Sequence, residues 1–307
     1  MRFAYVFLVA APVFWAGNFI LGRALSADIT PLQLNTMRWA LAGLALLPVL
    51  VQNAPVALRT LRLYPGQLAL LSLLGIVGFN LLLYAALQSA DASQVVGIFA
   101  FNPVVVLLLA TALGRVQLSG MQMVGSALST LGVFAIVWEA EGTGIAALSS
   151  GLGYAIAATI CWAAYTCAIG RSKVSAPPAV TLALTVWIGL VVLVPWALIS
   201  GPPILLSMPS PSLIASALYL GIGASVLAFY AWQRGVAQIG AVRAGVFMNL
   251  VPVFTMGLAV ALLSETLDGL RLAGLATVIV GVIITQRCPP RETDTRAVGP
   301  GRLTRQP

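Results

Sequence analysis

Ten apolar stretches of about twenty residues each follow one another from Phe3 to Gln286, separated by short polar connections. A helix rises about 1.5 Å per residue and closes its own backbone hydrogen bonds, so each stretch can cross a hydrocarbon core of about 30 Å. They lie near Phe3 to Leu25, Leu32 to Val51, Leu68 to Gln88, Ser93 to Gly114, Ser119 to Trp138, Gly151 to Gly170, Pro178 to Ser200, Ser212 to Arg234, Gly240 to Leu263 and Gly269 to Gln286. Only 8% of the residues are charged, against about 25% in soluble domains, so polar groups could not cover a globular surface. The expected class is an all-α integral membrane protein of ten transmembrane helices. Turns such as Ala90-Asp91-Ala92 leave no room for strands between them. The stretch from Phe3 is longer than the apolar part of a secretory signal, about 7–15 residues, and contains Trp15 and Asn18, so it is expected to stay as the first span. Residues 287–307, rich in Pro, Gly and Arg, are expected to form a disordered tail.

Charge placement orients the bundle. Arg2, Arg59, Arg62, Arg115, Arg171, Lys173, Arg234, Arg243 and Arg287 fall at one set of alternating span ends. Asp28, Asp91, Glu139, Glu141, Glu265 and Asp268 fall at the other. Basic excess marks cytoplasmic loops, which predicts a multi-pass inner-membrane protein with both termini in the cytoplasm. The net charge of +8 is scattered between apolar runs, so it carries topology rather than a nucleic-acid surface. Histidine is absent, the cysteines are Cys161, Cys167 and Cys288, and no Gly-rich phosphate loop occurs. No enzyme, cofactor, metal or ATP hydrolysis is expected.

The two halves, 1–138 and 139–286, correspond. Trp15 answers to Trp162, Trp39 to Trp187, Gly75 and Tyr84 to Gly221 and Tyr230, and Pro103, Gly125 and Gly132 to Pro252, Gly274 and Gly281. Five spans per half is an odd number, so the second copy must run through the membrane inverted. The loop charges agree, since the inner turn at Arg115 answers to the outer turn at Glu265 and Asp268. Secondary transporters are often built this way, with substrate near the midplane between the copies.

Trp15-Ala16-Gly17-Asn18-Phe19, Arg38-Trp39, Asn102-Pro103 and Leu263-Ser264-Glu265, in that order within a repeated bundle, resemble the drug/metabolite transporter superfamily. Within it the chain is similar to the ten-helix, two-repeat branch of amino-acid and metabolite exporters. One departure is Arg115-Val116, where the family often has an acidic residue. The resemblance implies export of aromatic or broadly neutral amino acids, or similar small metabolites, by alternating access. A sugar-phosphate or nucleotide-sugar carrier would need several basic residues in its cavity, and only Arg38 lies deep enough. A scaffold or lipid-binding protein is the alternative from another class. The expected partners are an amino-acid-like solute and membrane lipid, with a monomer as the working assumption.

Trp15, Asn18 and Gly22 share one helix face, and Trp162 with Tyr165 repeats the pattern, so rings and an amide could line a central cavity. The same residues would equally fill a helix interface. Asn80, Tyr84 and Gln88 form a polar stripe that reads as a water-lined path or as interhelical hydrogen bonding, and Tyr230 extends the argument to the eighth span. Pro103 and Pro252 deprive the carbonyls of Phe99 and Met248 of a donor, which marks hinges with Asn102 and Asn249 beside them as substrate contacts. Arg38, whose counterpart is Val186, is expected to cap carbonyls or gate near the outer surface, or to hold a substrate carboxylate. Trp138, Trp196 and Trp232 are expected as interfacial anchors, and Gly125, Gly132, Gly274 and Gly281 as sites of close helix approach. No span has Asp or Glu in its middle, so transport is expected to be uncoupled facilitated diffusion.

Overall fold

The computed structural model describes residues 2–90, 92–113, 116–117, 119–138, 150–200, 211–263, 269–287 and 291–292. All ten apolar stretches are helices. The first five are α1 (Arg2–Ala24), α2 (Pro31–Gln52), α3 (Pro65–Ser89), α4 (Ala92–Phe99 continued by Asn102–Ala112) and α5 (Gly120–Trp138). The second five are α6 (Ser150–Gly170), α7 (Pro178–Ser200), α8 (Pro211–Ile239), α9 (Ala241–Gly245, Val246–Asn249 and Leu250–Leu263) and α10 (Gly269–Arg287). Leu44, Val191 and Ile199 are among many exposed apolar side chains, as expected where lipid replaces water as the solvent.

Local chemistry sets several boundaries. Thr30 caps α2: its hydroxyl accepts from the Gln33 N–H while the Gln33 side chain accepts from the Thr30 N–H, and Pro31 fills the first turn, where no donor is needed. Gly240, at φ 82°, turns the chain between α8 and α9 in a backbone conformation that side chains resist. Between α2 and α3 lies a short helix, Ala54–Leu63, which the hydropathy pattern does not suggest because it is too short to span. It buries Ala57 and Thr60.

Helix pairing obeys a two-fold relation. Helix α2 packs on α7 and α5 on α10; α1 packs on α8 as α6 packs on α3; α1 packs on α9 as α6 packs on α4. The α5–α10 contact gives the sense of the relation. A Cβ on Gly125 would meet Gly281 O at 2.8 Å, and one on Gly132 would meet Gly274 O at 2.7 Å. Rising numbers on one helix meet falling numbers on the other, so the helices are antiparallel, and exchanging 125 with 274 and 132 with 281 maps the contact onto itself. This is an isologous interface between inverted copies. The four glycines permit the close approach, in keeping with their spacing.

Two expectations need correction. Val116–Gln117 (β1) pairs antiparallel with Arg291–Glu292 (β2), Val116 opposite Glu292, so a minimal strand pair does form. It also ties residues 291–292, inside the stretch expected to be a disordered tail, to the connection after α4; residues 293–307 lie outside the described residues. Glu265, Asp268, Ser264, Arg115, Asp91, Glu139, Glu141 and Cys288 also lie outside them, as does the Trp138 side chain.

Candidate functional site

Helices α1, α2, α3, α6 and α8 bring their aromatic residues to one point. The Trp15 and Trp162 rings, one from each repeat, meet edge to face with centroids 5.0 Å apart. Around them stand Phe229 at 5.7 Å from Trp15 and 5.4 Å from Trp162, Trp232 at 5.5 Å and 5.7 Å, and Phe79 and Tyr165 at 4.6 Å and 5.1 Å from Trp162. Trp39 joins through Phe229 at 4.9 Å. Trp15 is 4% exposed and Trp162, Trp39 and Trp232 are fully buried. The wet chamber expected at this place is therefore closed: rings fill it, and neither face of the membrane reaches the Trp15–Trp162 contact in this conformation. Edge-to-face pairs of this kind contribute about 0.5–1.5 kcal/mol each beyond area burial, so the closed centre is itself a stable arrangement.

Arg38 adjoins this cluster and is fully buried. Its Nε donates to Ser225 Oγ at 2.8 Å and its Nη2 to Ala224 O at 3.1 Å. Nη1 faces three acceptors, Asn80 Oδ1 at 2.8 Å, Tyr84 OH at 2.7 Å and Asn18 Oδ1 at 3.0 Å, and the Tyr84 hydroxyl donates onward to Asn18 Oδ1 at 2.8 Å. The guanidinium also lies 5.2 Å from the Trp39 ring centroid and 5.9 Å from that of Tyr84. Thus Asn18, Asn80 and Tyr84, expected as cavity lining and a water path, converge on one cation, and Arg38 caps a helix-interior carbonyl rather than a helix end. Gln88, at the far end of the stripe, is exposed and donates to Ser26 O.

That interior carbonyl is available for a structural reason. Helices α3 and α8 each contain a π-helical segment, Ser72–Gly78 and Tyr219–Leu227, in corresponding places around Gly75 and Gly221. Where such a segment returns to α-helical pairing, one carbonyl is passed over. Phe79 N–H bonds Leu74 O, so Gly75 O is passed over, and Asn80 Nδ2 donates to it at 2.8 Å. Ala228 N–H bonds Gly223 O, so Ala224 O is passed over, and it accepts from both Arg38 and Trp15 Nε1 at 3.0 Å. Asn35 Nδ2 and Cys161 Sγ donate to Ile76 O and Leu74 O in the first of these segments.

The proline positions mark real interruptions. Helix α4 breaks at Ala100–Phe101 ahead of Pro103, and α9 passes through a 3-10 turn, Val246–Asn249, ahead of Pro252. Thr130 Oγ1 donates to Ala100 O at 3.0 Å, Asn249 Nδ2 to Ser129 Oγ at 2.7 Å and Asn102 Nδ2 to Thr159 O at 3.4 Å. The buried oxygens Asn102 Oδ1 and Asn249 Oδ1 have no donor among the described residues. A narrow apolar cleft, with no room for a water molecule, lies between these breaks beside Phe19, Phe99, Asn249 and Pro252.

Two aromatic residues stand elsewhere than the sequence suggests. Tyr230 is not at the centre: it is half-buried near the start of α1, 6.3 Å from the Phe7 ring, with Arg234 over it at 5.8 Å. Trp232 is central rather than interfacial because α8 runs on to Ile239, which places it well inside the helix; Trp196 is about half exposed. Ser225 and Phe229 join the centre without any signal in the sequence, since nothing in a serine or phenylalanine within an apolar run distinguishes it. At the end where α1 begins and α10 finishes, Arg243 donates to Tyr5 OH and Gln286 O at 2.8 Å each, and Gln286 Nε2 donates back to Arg243 O at 2.7 Å, tying α1, α9 and α10 together.

The model of the EamA-like transporter family matches residues 2–138 and again 149–287. The chain is 26% identical over 281 residues to the "Uncharacterized transporter YyaM" of Bacillus subtilis, covering 91% of this chain and 92% of that one. It is also 26% identical over 288 residues to a "Probable amino-acid metabolite efflux pump" of Salmonella typhimurium, covering 89% and 91%. A solved crystal structure superposes with a TM-score of 0.75 at 18% identity, over 92% of this chain and 96% of that one, a likeness of fold.

Proposed function

Because the chain belongs to the EamA-like transporter family, we propose that it exports amino acids or similar small metabolites by alternating access. The observation that carries this reading is the convergence of both repeats on one closed centre, where Trp15 of α1 meets Trp162 of α6, while the interrupted helices α9 and α4 pack on α1 and α6 respectively. A solute replaces ring–ring contacts there when one side opens, and the breaks absorb the bending. The relative from Salmonella, whose name refers to amino-acid metabolite efflux, supports the choice of cargo. A sugar-phosphate carrier is disfavoured because one buried guanidinium is a weak match for a dianionic phosphate.

The charge pattern supports an inner-membrane protein with both termini cytoplasmic, Arg59, Arg62, Arg171 and Lys173 marking the inner connections. Transport is uncoupled, driven by the substrate gradient, since Asp, Glu and His are missing from the middle of every span. The test is a counterflow screen of reconstituted protein against the common amino acids, with sugars and nucleotides as controls. Counterflow confined to amino acids is the expected result. Movement of sugar phosphates alone would replace this reading with the carrier, and movement of no solute would favour a scaffold.

A further inference from the structure

We infer that the Arg38 cage is the seat of a carboxylate, so that the exported solute must carry one. The inference rests on the export reading for what arrives at the centre, and adds the chemical class that the centre accepts.

Every partner of Arg38 is neutral: two amides, two hydroxyls and one backbone carbonyl. No carboxylate reaches it among the described residues. A guanidinium taken out of water without a counter-charge is costly, and neutral acceptors offset that only in part. The donors nearby are in excess. Nη2 uses one of its two N–H groups, on Ala224 O, and the buried indole nitrogens of Trp39 and Trp162 have no acceptor among the described residues. A ligand that completes this centre must therefore supply acceptors and negative charge together. A planar carboxylate does both, and matches the guanidinium fork. An amine would bring more donors and a like charge. A neutral amide would satisfy one N–H and leave the cation uncompensated.

The acceptor places are filled in the closed conformation by Asn18, Asn80 and Tyr84, which come from α1 and α3. Relative movement of those helices frees the guanidinium face toward the arriving carboxylate. When the solute leaves, the three side chains close over the cation again. Asn80 and Tyr84 are thus stand-ins for the ligand's oxygens, in keeping with a buried cation that has no acidic partner among the described residues. In the other repeat the corresponding place is Val186, so there is one seat per molecule.

The test uses four compounds on one phenyl scaffold, which separate the carboxyl group from the amine: phenylalanine, 3-phenylpropionate, phenylalaninamide and phenethylamine. Each is titrated into the full-length protein in vesicles while tryptophan emission is followed, since indoles flank the cage. The two carboxylates are expected to shift emission, with the amide and the amine about tenfold or more weaker. Equal response to all four, or to none, overturns the proposal. Arg38→Gln should erase the carboxylate-to-amide ratio, whereas Arg38→Lys, which keeps the charge but loses the fork, should lower it. A purely structural Arg38 would weaken all four compounds alike, and that result also counts against the seat. Should Arg38→Gln fail to fold, the wild-type series decides alone. Counterflow is measured separately: carboxylate-selective binding without movement of any amino acid sinks the export reading and leaves the seat, whereas movement indifferent to the carboxyl group does the reverse.

Discussion

Arg38 and Val186 occupy the same place in two copies of one helix bundle, and the difference between them makes a nearly symmetric molecule asymmetric at its centre. The valine asks nothing of its neighbours, while the arginine draws acceptors from α1, α3 and α8. Its depth in the second span is legible in the sequence, because a charge inside an apolar run is conspicuous. Its partners are not, since a hydroxyl such as that of Ser225 becomes meaningful only when folding brings it within 2.8 Å of the guanidinium. At Trp162 the prediction concerns the rings. Truncation to alanine would leave a cavity costing about 3–5 kcal/mol, so a fold defect would mask any transport effect. Trp162→Phe keeps a ring, and is expected to lower initial counterflow rates severalfold while the thermal midpoint of the detergent-solubilised protein stays within a few degrees of wild type. Unchanged kinetics would remove Trp162 from the transport path.

At the scale of elements, the α5–α10 pair and the two π-helical segments show different degrees of legibility. Glycines at a helical spacing announce close approach in the bare chain, and Gly125, Gly132, Gly274 and Gly281 meet as that pattern implies. A Cβ on Gly281 would lie 2.5 Å from Ser129 N and 2.6 Å from Gly125 O, both backbone atoms that cannot swing away. Gly281→Ala is therefore expected to destabilise by about 1–3 kcal/mol, with Gly120→Ala, which meets nothing, as the neutral comparison. Thermal unfolding of the two variants side by side checks this, and equal midpoints would mean that the helices part easily. The π segments carry no comparable signature. A change from i−4 to i−5 pairing leaves hydrophobic periodicity almost intact, so the passed-over carbonyls of Gly75 and Ala224 emerge only with the backbone. The end of α8 is hidden for a related reason: Arg234 looks like a membrane boundary, yet the helix continues to Ile239.

For the whole molecule, the proposed alternating access would use the inversion of the repeats, since contacts between the copies come in two-fold pairs, α1 on α9 answering to α6 on α4. At the end where α1 begins, Arg243 donates to Tyr5 OH and Gln286 O, and at the end where α1 finishes Arg23 donates to Leu87 O at 2.8 Å. With no acidic side chain or histidine midway through any span, a pH gradient imposed across proteoliposomes is expected to leave the final amino-acid distribution unchanged; uphill accumulation would show a coupling route through peripheral groups. The number of spans, their inversion and the close glycine contacts follow from the chain by itself, because a bilayer forces each apolar run of about twenty residues into a self-bonded helix and an odd count per repeat reverses the next copy. Whether the centre stands open or filled, which side chains surround Arg38, and where a helix loses its pairing register were decided only in three dimensions. Those features depend on distances between residues far apart in the chain, as with Arg38 and Ser225, and neither hydropathy nor spacing along a single helix encodes such distances.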